Sequence, residues 1–68
     1  MYVLFKSGLN RKEAICEAAT VEELKAEVEK DFANMFIEED ADHPDHFDIF
    51  AYNTSTSCVY AIEPKKAQ

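Results

Sequence analysis

The stretch Ile37 to His46, IEEDADHPDH, sets five carboxylates and two imidazoles around one proline. These residue types bind metal ions, so coordination is the first chemistry to weigh. A calcium loop needs oxygen donors at fixed positions, a glycine at the sixth for the sharp turn and a glutamate at the twelfth. Counted from Asp40, the sixth residue is Asp45 and the twelfth is Ala51, with Pro44 at the fifth, so the pattern fails. Zinc needs three or four nitrogen, sulfur or oxygen donors in a tetrahedral array, and His43 with His46 supplies half a set. Pro44 opposes a helical continuation, so the two imidazoles need not share a face. The segment reads as a solvated loop; no metal and no cofactor are expected.

Covalent catalysis has less support. Ser55 and Ser57 lie in NTSTS, where short polar side chains satisfy their own backbone and no glycines frame a nucleophile elbow. Cys58 has no histidine near it in sequence, and a reactive thiolate needs a positive setting that this chain does not offer. One glycine in the whole chain leaves no phosphate cradle. The expectation is therefore a protein that is not an enzyme. Tyr2, Phe5, Phe50 and Tyr52 suggest base stacking, but 14 acidic side chains against 7 basic ones oppose contact with phosphates. Neither direct nucleic-acid binding nor a membrane is expected.

The charge is uneven. From Glu22 to Asp48 eleven acidic residues face only Lys25 and Lys30, a balance of -9, while the remaining residues carry three acidic and five basic side chains. A negative field on one side steers a basic protein surface toward it. The expected contact residues are Glu27, Asp31, Glu38, Glu39, Asp40 and Asp42, on a helix and the loop after it. A small acidic binding or inhibitory protein follows, in one version imitating the charge of a nucleic acid. The same carboxylates also keep an aromatic-rich chain in solution.

The elements that must position these residues can be placed from periodicity. YVLFK, residues 2 to 6, reads as a strand, ended by a turn at SGLNR. KEAICEAA, residues 12 to 19, reads as a second strand with Ala14, Cys16 and Ala18 on one side, although its alanines and glutamates also suit a helix. Thr20 and Glu23 form the T-x-x-E capping box. Val21, Leu24, Val28, Phe32, Met35 and Phe36 then make one apolar stripe, which predicts an amphipathic helix from Val21 to Phe36. FDIFAYN and CVYAIE form a hairpin, with Pro64 and the tail PKKAQ ending the pairing. The fold class is α+β, two layers in the order β-β-α-β-β, one helix on a four-stranded antiparallel or mixed sheet.

With 68 residues, 47% of them apolar and 12% aromatic, the chain is long enough for one small folded domain, residues 1–68. Such a domain buries only roughly 60% of its unfolded surface, and an added interface would help it. One helix covers one face of the sheet, so Phe5, Phe50 and Tyr52 are left to pack across a twofold axis in a homodimer, the alternative to a basic partner. MYVLFKSGLN lacks the charge and apolar run of a signal peptide, and the expected location is the cytoplasm. Cys16 and Cys58 are then reduced and act as small buried hydrophobes.

Overall fold

The computed structural model describes residues 1–8 and 11–65. Its elements are β1 (Tyr2–Gly8), β2 (Arg11–Ala18), α1 (Val21–Glu29), β3 (Asn34–Glu39), β4 (Phe47–Tyr52) and β5 (Ser57–Pro64). All pairings are antiparallel and the sheet order is β2-β1-β5-β4-β3, with α1 packed on one face. The two-layer helix-on-sheet arrangement holds, but the sheet has five strands among the described residues, where four were expected. Residues 9 and 10 of the expected SGLNR turn, and the PKKAQ tail from Lys66, lie outside the described residues. Pro64 does not end the pairing: it lies opposite Tyr2. No helix among the described residues is long and apolar enough to cross a membrane.

The helix begins where its cap requires. Thr20 is extended, its hydroxyl oxygen accepts the Glu23 N–H at 3.3 Å, and Glu22 and Glu23 place negative charge in the first turn, where the helix dipole is positive. Leu24 and Val28, one turn apart, bury against Leu4, Ile49, Ala51, Tyr60 and Ile62 of the sheet.

The predicted continuation to Phe36 is corrected. The helix stops at Glu29, and the N–H groups of Asp31 and Phe32 both turn back to the Val28 carbonyl, at 3.1 and 3.2 Å. Apolar spacing at Phe32, Met35 and Phe36 fits a helical stripe, yet Met35 and Ile37 also alternate with Phe36 and Glu38 at the strand period. Pairing with β4 gives the backbone of this aromatic and β-branched run partners along one edge and places Met35 and Ile37 against the core, and that tertiary gain decides the outcome. Phe32 instead meets the Tyr60 ring edge-on, centroids 6.1 Å apart.

β2 is a strand, but its faces are not those expected along its whole length. The β1–β2 register shifts between Leu4 and Phe5, so Cys16 pairs with Leu4 and Ala14 pairs with Phe5. Ile15 is the extra residue of this bulge and stands exposed. Cys16 and Ala18 therefore pack toward the helix side, while Ala14 joins Phe5 on the other face. Both cysteines are free and half-buried against the core. Burial raises the Cys16 thiol pKa, and the Glu27 carboxylate adds to the rise.

Candidate protein-binding surface

Side chains alternate along each strand, so the register fixes what the face away from α1 displays. Phe36 on β3, Phe50 on β4 and Val59 on β5 are direct partners and form a row across three strands, with Tyr52 on the same side two residues along β4. All four are exposed, Phe36 at 59%, Tyr52 at 50%, Phe50 at 42% and Val59 at 39%. The Phe36 and Phe50 rings lie 6.3 Å apart at a tilt of 35°.

Phe5 lies on this face too, opposite Ala61, but it is half-covered. The Lys12 ammonium sits 4.8 Å from the centre of its ring and is ion-paired with Glu63. Of the three expected self-association residues, the structure brings Phe50 and Tyr52 together and shields Phe5. Phe36 and Val59 are the members that sequence reasoning missed. Phe36 fits the spacing of the helix stripe, and the alternation in MFIE is the signal that places it on a strand.

The next row on the open face is charged. Glu38 on β3 lies directly opposite Asp48 on β4, beside the Phe36–Phe50 pair. Among the described residues neither carboxylate has an ion-pair partner, whereas Lys12 is engaged by Glu63 and Lys65 by Glu17 at 2.9 Å. Like charges directly opposite on a sheet repel.

The six expected acidic contact residues are not gathered on one surface. Glu27 and Asp31 belong to the helix layer, where Lys30 holds Glu27 at 2.9 Å. Glu38 points to the open face, and Glu39, paired with the core-packed Phe47, lies on the helix side of the sheet. Asp40 and Asp42 belong to the loop between β3 and β4, because β3 occupies the chain that was expected to extend the helix.

That loop is closed by its own backbone. Asp40 N–H donates to the His46 carbonyl at 2.9 Å, and His46 N–H to that of His43 at 2.8 Å. The Asp40 carboxylate accepts the Asp42 N–H at 2.9 Å and lies 3.2 Å from His43 Nδ1. The Asp42 amide, chiefly, lowers the Asp40 pKa, and the His43 imidazole adds to the effect. The two imidazole rings stack edge-on at 5.1 Å. Among the described residues no three histidine, cysteine or acidic side chains converge as metal ligands. Compared with protein-family models, curated proteins and solved structures, the chain gives no match.

Proposed function

We propose that this chain is a small non-enzymatic protein that binds a basic protein partner. The observation that supports it is the Glu38–Asp48 pair, two carboxylates side by side on an exposed sheet face and without an ion-pair partner among the described residues. Glu27 and Asp40 already have partners of their own, and so offer less to an incoming cation. A lysine or arginine from outside, set between Glu38 and Asp48, relieves their repulsion and gains a charge-assisted hydrogen bond.

The test is affinity for an arginine-rich peptide measured across salt concentrations. Binding weakens as the Debye length shrinks if the carboxylates steer and hold it. An affinity indifferent to salt would reject the reading. Self-association through the same face is the second reading, favoured by the exposed row Phe36, Phe50 and Val59. Sedimentation equilibrium over a wide concentration range separates the two.

A further inference from the structure

Resting on the reading of a basic partner, we infer that the open sheet face docks an amphipathic helix of that partner. Its apolar stripe lies on Phe36, Phe50, Tyr52 and Val59, and an arginine at its margin reaches Glu38 and Asp48. Over β4 and β5 the face presents side chains and no free backbone groups, since both strands are paired on both sides, and only the outer edge of β3, beyond the apolar row, is open. An extended peptide laid there would leave its own N–H and C=O groups without partners, whereas a helix satisfies them internally.

The dimensions agree. Three strands at about 4.8 Å spacing span roughly 10 Å, the width of a helix with its side chains. The same sheet already accepts a helix on its other side, through Leu24 and Val28 four residues apart. Charge then chooses between a foreign helix and a second copy of this chain. On the open face a second copy brings Lys12 and Lys65, both engaged, and another Glu38–Asp48 pair. Among the described residues it has no unengaged cation on that face to offer. A helix flanked by arginine does.

The test titrates isotope-labelled protein with two synthetic helical peptides that share a leucine stripe and differ only at its flanks, arginine in one and glutamate in the other. The arginine peptide is expected to shift the amide resonances of Phe36, Phe50, Tyr52 and Val59. Phe50→Ser is expected to weaken it by roughly tenfold or more, the effect of losing an aromatic anchor. The double variant Glu38→Gln, Asp48→Asn is expected to weaken it while raising the melting temperature of the free protein, two changes of opposite sign that general destabilisation would not produce. A footprint on α1 or on the Asp40–His46 loop overturns the docking site and leaves the basic-partner reading standing. Equal affinity for both peptides, or none for either, overturns that reading as well. Dimerisation abolished by Phe36→Ser overturns the choice of occupant.

Discussion

The Asn53 carboxamide ties two distant segments together: its oxygen accepts the Ala33 N–H at 2.7 Å and its nitrogen donates to the Asp31 carbonyl at 3.0 Å. The turn after α1 is thereby fixed to the loop between β4 and β5, at the point where the chain leaves the helix and enters β3. Asn53→Ala removes both bonds. A loss of about 1 kcal/mol is expected, since the bonds are partly solvated, with the urea midpoint falling and the slope unchanged.

Leu24 is fully buried beneath the helix and meets the sheet core. Leu24→Ala is expected to cost about 2–5 kcal/mol, the range for emptying such a site. A domain this small holds only a few kcal/mol in reserve, on the order of 3–5. Circular dichroism should therefore show a large unfolded fraction at room temperature without denaturant. A melting curve like that of the parent would contradict the assigned core.

Removing one charge from the open face should strengthen the fold. Glu38→Gln or Asp48→Asn is expected to add about 0.2–1 kcal/mol, the scale of a cross-strand pair, and the gain should shrink in high salt. Chemical denaturation at two ionic strengths measures both. A loss of stability in either variant would mean that the carboxylate has a favourable partner.

Burial pushes the Tyr60 phenol up to about 12, and negative charge at Cys58 and Asp31 adds to the shift. Because the folded form holds the proton more tightly than the unfolded one, Tyr60 contributes stability that is complete below the ordinary tyrosine pKa. That contribution is lost as pH rises toward 12. Cys16, raised for the same reason, acts in the same direction. Tyr60→Phe should flatten the alkaline limb of a stability–pH curve. Asp40 works in reverse: with its pKa lowered, its contribution is present above the unfolded value and disappears as pH falls through the folded one. Asp40→Asn should therefore flatten the acid limb.

The legible parts of this chain were those in which local chemistry and tertiary packing agree. The Thr20–Glu23 cap marked the helix start because the hydroxyl that accepts the Glu23 N–H, and itself donates to the Glu23 carboxylate, lies only three residues before it. Phe47, Ile49 and Ala51, like Tyr60 and Ile62, face the core as their alternation requires. The helix end was not legible, since the spacing of Phe32, Met35 and Phe36 serves two periods and only the distant β4 chooses between them. With β3 hidden, the acidic residues were assigned to one continuous surface, and Phe36 to the wrong face. Nor does KEAICEAA announce the bulge at Ile15, which depends on how β1 lies beside it. The apolar face around Phe50 and Tyr52 was visible because a single helix cannot cover both sides of a sheet.

β5 is late in the chain yet lies between β1 and β4, and Lys65 N–H closes onto the Met1 carbonyl at 2.9 Å. Before residues 57–64 leave the ribosome, the β1–β2 and β3–β4 hairpins have no strand to join them and no shared interior. Until β5 is available, the chain can form no more than two separate ribbons and a short helix. β5 is thus the keystone of the sheet, the strand through which the two ribbons come to share one interior.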